Sequence, residues 1–407
     1  MLQNAQALAG ELTCLRREIH RHPELAFREV RTAALVADTL REIGGVAIRT
    51  GVGITGVVGD LGTGDGPTIA IRADMDALPI LEANDTAYRS QQRRPDARLR
   101  PRRPHGHAAG VAHLLKQEFA AGKLRGNVRF LFQPAEEDEG GQPTSGAPMM
   151  IRDGALDGVD AVIALHVDSM QPFGKVTMRG GWDSAAADQF TAYITGSGGH
   201  GAYPHEATDP LWMLSPVLTA LHGIVARRVD PQKPAVVTIG RIQGGTASNV
   251  IPREVLLHGT LRSYDDDVRA LLVAEVERAL SIVRPLGGDY RLKVTSGYLA
   301  GKNSPVVSGW LARTATDMFG PSALESSAPG MGAEDFAYMS ARVPGAAMFH
   351  LGAAVGDFAR AHHTPVFDID ERCLAGWRGD PGRDGPALPG RRGAARGLSI
   401  AAALYCP

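Results

Sequence analysis

The sequence predicts an α/β protein with a smaller α+β unit inserted in mid-chain, and three observations predict it. The apolar runs PTIAIRADMD, VRFLFQPAEE and AVIALHV read as buried strands, and each ends in acids or carries a histidine near its end. From about residue 181 the texture changes to alternating strands separated by two helical stretches. After about residue 294 it returns to helix and apolar strand. Strands that are apolar on both faces belong in a covered sheet, and α/β sheets gather their chemistry along one edge.

Size and composition set the frame. At 407 residues the chain exceeds a single compact core,. The expected organisation is residues 1–180 and 294–407 as one domain, with 181–293 inserted. An apolar content of 44% and a charged content of 21% describe an ordinary globular protein,. Lys+Arg and Asp+Glu nearly cancel, 43 against 44, which gives no electrostatic case for a nucleic-acid or membrane partner,. The longest apolar runs fall far short of a membrane span. The amino terminus becomes charged too early for a signal peptide. Cys14, Cys373 and Cys406 are widely spaced and fit a reducing compartment, so a cytoplasmic enzyme or binding protein is expected,.

The elements follow in order. Residues 4–43 carry helical spacing, with Leu8, Leu12, Leu15 and Ile19 on one face, and His22-Pro23 divides them into two helices,. VAIRT, ITGVVGDLG and PTIAIRADMD then read as strands, followed by VRFLFQPAEE and AVIALHV. In the inserted unit DQFTAYITGSGG, PAVVTIGRIQGG and EVLLHGTLRSY are strands. DPLWMLSPVLTALHGIVARR and DDDVRALLVAEVERALSIVRPLG are helices, giving a β-α-β-β-α-β arrangement,. AAMFHLGA is a strand that returns to the first domain.

Candidate chemistry collects at the strand ends. Glu136 and Glu137 in PAEE leave a strand in different directions, so one suits a metal and the other a water beside a substrate,. Read alone, the pair fits a solvated acidic loop better. His166 sits inside an apolar strand and needs a partner there,. His362 and His363 precede a Thr-Pro turn. One acid and two histidines from separate strand ends make a zinc-type ligand set, more specific than any one member. In the inserted unit His200 lies in a Gly-rich turn, Asn249 opens a strand, and Arg262 is either a carboxylate partner or a surface strand residue,. Glu334 to Phe336 form a further acidic turn to which spacing assigns no role.

Nine segments in order, IHRHPELAFRE, IRADMDALPI, FLFQPAEE, ALHV, GSGGHGAYPHEATDP, GGTASNVIP, GTLRSY, GAEDFAYM and HHTPVFDIDE, run across nearly the whole chain. Together they resemble the metal-dependent amidohydrolases that include hippurate hydrolase, auxin-conjugate hydrolase and the aminoacylase/carboxypeptidase enzymes. The resemblance implies a zinc-peptidase-like catalytic domain with a central mixed sheet. It also implies an inserted ferredoxin-like lid that mediates homodimerisation, and hydrolysis of the amide in N-acyl amino acids. It implies two divalent metals per subunit, whether Zn, Mn or Co. Carried over by position, Glu136 is the general base, Glu137, His166 and His363 are metal ligands, and His200, Asn249 and Arg262 face substrate.

One family motif is absent as written. Where the family carries Met-His-Ala-Cys-Gly-His-Asp-Gly-His-Thr-Ala, with a Cys and a His as ligands, this chain has RRPDARLRPRRPHGHAA. Residues 93–104 hold six Arg and three Pro in twelve positions. Read from the second base of each codon beginning at Asp96, allowed codons return all eleven family residues. GC-rich codons read one base out give Arg and Pro, which accounts for the odd composition. We read the stretch as a frameshift closed before Leu114, with a second in the Gly/Pro/Arg-rich tail after about residue 375. In the chain as written two ligands are lost, and His105 and His107 stand three or more positions from where they would substitute,. The alternative function is a metal-poor homologue that at most binds ligand and dimerises.

Overall fold

The computed structural model describes residues 2–91, 100–101, 105–138, 140–326, 329–356 and 360–375. The Arg/Pro stretch over residues 92–99 and 102–104, and the tail over 376–407, lie outside the described residues. In chain order the main elements begin with helices α1 (Leu2–Arg21) and α2 (Val30–Ile43). Strands β1 (Ala47–Val52), β2 (Gly56–Gly62) and β3 (Thr68–Asp74) follow, then α3 (His105–Ala120), β4 (Asn127–Gln133), α4 (Gly146–Arg152), β5 (Ala161–Asp168) and β6 (Val176–Thr177). Next come β7 (Ala186–Thr195), α5 (Pro210–Arg228), β8 (Ala235–Gly244), β9 (Glu254–Ser263), α6 (Asp266–Leu280) and β10 (Asp289–Ser296). Helix α7 (Pro305–Phe319) and strands β11 (Leu324–Glu325) and β12 (Gly345–Gly352) complete the set.

The chain divides into two compact units: Trp182–Gly301 with Pro329–Ala337 form one, and the remaining described residues the other. The larger unit is built on an eight-stranded mixed sheet ordered β1-β2-β4-β3-β5-β12-β6-β11. Its centre, β4-β3-β5-β12, is parallel, while β1, β2 and β6 join antiparallel. Phe130, Phe132, Ile163, Ala347 and Phe349 are fully buried along these strands, with Leu40 of α2, Leu115 of α3 and Leu311 of α7 packed in the same core. Central parallel strands covered on both faces explain why their sequences read as unbroken apolar runs. Helix α7 starts where the sequence permits it, with Ser304 accepting from the Val307 amide and Pro305 in the first helical position,.

The smaller unit is an antiparallel sheet ordered β8-β9-β7-β10 with α5 and α6 packed on one face. With the chain order β7-α5-β8-β9-α6-β10 this is the ferredoxin-like topology. Phe190, Ala192 and Ile194 alternate inward from β7 and meet Met213, Val217 and Leu221 of α5 and Leu272 and Val276 of α6,. Asp209 caps α5 by accepting from the Leu211 amide, ahead of Pro210,.

Polar contacts tie the amino-terminal helix to the last described segment. Arg16 of α1, buried, pairs with buried Asp368 at 2.9 Å, and the neighbouring Arg17 forks onto Glu371 at 3.1 and 2.6 Å,. The hydroxyl of Tyr88 donates to the other Asp368 oxygen at 2.8 Å. Close by, buried His20 lies 3.0 Å from buried Glu82. Burial alone would raise the Glu82 carboxyl, but the hydrogen bond and charge of His20, with the Ser90 amide and Asn84, hold it below its usual value of 4.5. A carboxyl depressed in the folded state stabilises the fold above its unfolded pKa, and that contribution disappears as pH falls through the folded value. Glu82→Gln is therefore expected to cost about 2 kcal/mol at neutral pH, because it weakens a buried pair. It should also flatten the loss of stability below about pH 4.5. Urea unfolding across pH 3–7 measures both, and an unchanged acid limb in the variant would contradict the assignment.

Candidate active site

The parallel strands β4, β3, β5 and β12 deliver their carboxyl ends to one side of the sheet, the usual position for chemistry in such folds,. Beyond β3, the Met75 amide donates to the Gln133 carbonyl of β4 at 2.6 Å, and this contact aligns the two strand ends. Asp76 is fully buried and accepts from the backbone amides of Glu136 and Glu137 at 2.9 and 3.0 Å. One strand end thus holds the loop that leaves the next. Burial pushes the Asp76 carboxyl well above its ordinary value, and the negative charges of Glu137, Asp74 and Glu29 push it the same way; the Glu136 amide opposes them. Glu29 is also raised by burial, against hydrogen bonds from Thr55 and from backbone amides.

The histidines gather from three segments. His166 of β5 stands directly opposite His350 of β12 in the parallel register, with ring centroids 5.4 Å apart. The ring of His362 lies 5.0 Å from that of His166. His166 Nδ1 is 2.7 Å from the Val167 carbonyl oxygen, which can only accept. The ring proton at this contact therefore resides on Nδ1. His363 takes a positive φ of 60°, and its Nε2 lies 3.8 Å from a carboxylate oxygen of Glu137. Two ligands bound to one tetrahedral ion at roughly 2.1 Å stand roughly 3.4 Å apart, a few tenths of an ångström less than this separation.

The segment that carries His362 and His363 is held from outside. Asn84 donates to the Phe367 carbonyl at 2.8 Å and accepts from Arg360 at 3.2 Å, and Arg16 and Tyr88 fix Asp368. The Ser169 hydroxyl donates to the Arg360 carbonyl at 2.7 Å, which joins the segment to the end of β5.

Glu136, Glu137, His166 and His363, singled out from sequence, all lie in the larger unit at these strand ends. His350 was not singled out: AAMFHLGA read only as a strand. Its signal was a histidine near the end of an apolar run, the same pattern as His166, but the pairing that makes the two neighbours spans 184 residues of chain and is visible only in the sheet register. His362, to which the sequence assigned no role of its own, packs its ring against His166 and Phe367.

In the smaller unit, Gly199–His200 and Val250–Ile251 form a two-stranded ribbon with His200 opposite Val250, and the Gly201 amide donates to the Asn249 carbonyl at 2.8 Å. His200 and Asn249 are thus neighbours, and both are exposed. His200 Nδ1 accepts from the Ala202 amide at 3.0 Å, which places the ring proton on Nε2,. Arg262 is half-buried on β9, and desolvation lowers its pKa against the pull of Asp188. The Asp188 carboxylate is itself taken by Arg269 at 2.7 and 2.5 Å.

A covered α/β sheet with paired carboxylates and clustered imidazoles at its strand ends is the frame of a metal-dependent hydrolase. The description peptidase family M20/M25/M40 matches residues 70–376, and the chain belongs to that family. It is 36% identical over 379 residues to N-acetyl-L-cysteine deacetylase of Bacillus subtilis, covering 91% of this chain and 86% of that one. It is 33% identical over 372 residues to IAA-amino acid hydrolase ILR1-like 2 of Arabidopsis thaliana, covering 88% and 81%. Among solved structures it resembles the Bacillus subtilis YXEP protein, a dinuclear metal binding peptidase from the M20 family, with a TM-score of 0.76, 27% identity and 98% of both chains covered. The fold and enzyme class expected from sequence, an α/β hydrolase of the aminoacylase/carboxypeptidase type, therefore hold. No helix among the described residues is long and apolar enough to cross a membrane.

Proposed function

We propose that the chain hydrolyses the amide bond of N-acyl amino acids, releasing a carboxylate and a free amino acid. The observation that carries this reading is the approach of Glu137 to His363 at 3.8 Å, one residue from a second buried carboxylate, Glu136. The surroundings fit a cation. Asp74, Asp76, Glu29 and the Glu137 side chain place four carboxyl groups out of contact with solvent; burial raises Asp76 and Glu29, and the neighbouring carboxylates raise Asp76 further,. Carboxylate and imidazole donors suit Zn, Mn or Co, held two per subunit. Glu137, His166 and His363 are the residues of this chain that would hold them. Divalent metal at such a site polarises the scissile carbonyl and acidifies water.

The remaining steps belong to side chains. Glu136 takes a proton from the attacking water and passes it to the leaving amine nitrogen, so the amine departs neutral. Asp76 keeps the Glu136 backbone fixed during both transfers through its hydrogen bond to that amide. His200, with its ring proton on Nε2, and Asn249 supply hydrogen bonds to the substrate, and Arg262 offers a guanidinium to its carboxylate,. The smaller unit acts as lid and as the homodimer contact. Its long edge strand β8, largely exposed along its second half, is the surface that supports this,.

His200→Ala and Asn249→Ala are each expected to lower kcat/KM on hippurate by about 10- to 100-fold and leave the metal content unchanged. Parallel metal analysis and initial-rate kinetics check this, and loss of metal from either variant would contradict a substrate-facing role.

The frame of residues 93–113 is testable at the DNA. We propose a base gained or lost between the codons for Gln91 and Asp96, a compensating change between those for His107 and Leu114, and a third lesion near Ala375. Resequencing the gene should reveal all three. A confirmed read that matches the written protein would remove the sequencing-error explanation.

A further inference from the structure

We propose that Glu29 is a positioning residue that clamps the loop carrying Glu136 and Glu137. One Glu29 oxygen accepts from the backbone amides of Phe27 at 3.0 Å and Ala135 at 2.9 Å, and the other accepts from the Thr55 hydroxyl at 2.5 Å. Glu29 is wholly buried, and 106 residues separate it from Ala135.

Its position makes the contact informative. Glu29 occupies the N-cap of α2, where a carboxylate ordinarily accepts from the first-turn amides, yet it makes no capping bond,. Glu24 performs that task from five residues upstream: its two oxygens accept from the Arg31 and Thr32 amides at 3.0 and 2.8 Å, and from the Thr32 hydroxyl at 2.8 Å. With the helix end satisfied by Glu24, the Glu29 carboxylate is turned to the loop after β4. The Glu24 carbonyl also accepts from the Ala77 amide at 2.9 Å, next to Asp76. The short segment between α1 and α2 therefore braces both strand ends that meet at the site.

The loop requires a brace. Ala135 adopts a φ of 49°, a left-handed conformation disfavoured for a residue with a Cβ,. On its other side the Ala135 carbonyl accepts from the Gly146 amide at 2.9 Å, where an added Cβ would lie only 1.7 Å from the Pro134 carbonyl oxygen. Pinned through its amide by Glu29 and through its carbonyl by Gly146, Ala135 is held in the turn that presents Glu136 and Glu137 to the strand ends. This inference rests on the reading of Glu136 and Glu137 given above only for its catalytic consequence; the clamp itself is read from hydrogen bonds.

Amide hydrogen exchange on the full chain tests it without reference to turnover. Glu29→Gln places an NH2 where one of the donors now bonds. It should accelerate exchange at the Ala135, Glu136 and Glu137 amides by about tenfold and leave the core amides of Phe130 and Phe132 unchanged. Thr55→Val, a milder change that keeps the carboxylate, should move the same three amides in the same direction by less. Adding Ala135→Gly to Glu29→Gln should return part of the kcat lost in hippurate hydrolysis, because glycine accepts the left-handed turn without the clamp. Unchanged exchange at 135–137, or acceleration that extends equally to β4, would overturn the proposal. Accelerated loop exchange with unaltered kcat would instead place the error in the role given to Glu136 and leave the clamp standing.

Discussion

Glu136→Gln is expected to lower kcat for hippurate or another N-acyl amino acid on the order of 10³-fold in protein expressed from its own gene. The metal-to-protein ratio should not change. Glutamine keeps the size of the side chain and its position, since the backbone amide that holds residue 136 to Asp76 is untouched. What it lacks is a base to accept the water proton and an acid to return it. Both transfers fail, so the loss falls on kcat, with KM little affected. Single-turnover and steady-state kinetics with metal analysis of the same sample give the result. A parallel fall in metal and rate would mean that Glu136 and Glu137 have exchanged roles.

Glu137→Ala is the counterpart. Removal of an outer-shell partner alone typically weakens metal binding 10- to 100-fold, so loss of a direct ligand should exceed about 100-fold and carry activity down with it. The same change strips the buried site of a negative charge that helps hold Asp76 above its ordinary pKa. The variant should therefore fold at least as stably without metal as the parent does without metal, while the parent alone gains stability on adding metal. Thermal unfolding with and without Mn or Zn separates these cases. A metal-induced rise in Tm that survives Glu137→Ala would exclude Glu137 as a ligand.

Much of this arrangement is legible in the residues. The break at His22-Pro23 ends α1 at Arg21, and the acids after PTIAIRADMD and VRFLFQ mark the strand ends where Asp76 and Glu136 meet. The inserted unit shows its strands because one face of each is wet, and β7 alternates as it does for that reason. What is not legible depends on pairing across long stretches of chain. His350 joins His166 only through the β5–β12 register, and Glu29 reaches Ala135 only because Glu24 has taken over the cap of α2. The left-handed turns at Ala135 and His363 also carry no sequence signal, since neither residue is the glycine or asparagine that such turns favour,.

The measurement that bears most directly on metal-dependent amide hydrolysis at this site is a single side-by-side series. Metal content and hippurate turnover are determined on the parent protein, Glu136→Gln and Glu137→Ala, before chelation, after chelation, and after metal is restored. The expected result is metal with activity in the parent, both lost on chelation and both regained. Glu136→Gln should retain metal without activity, and Glu137→Ala should have neither. Turnover in the parent that persists after its metal has been removed would contradict the assignment of this site.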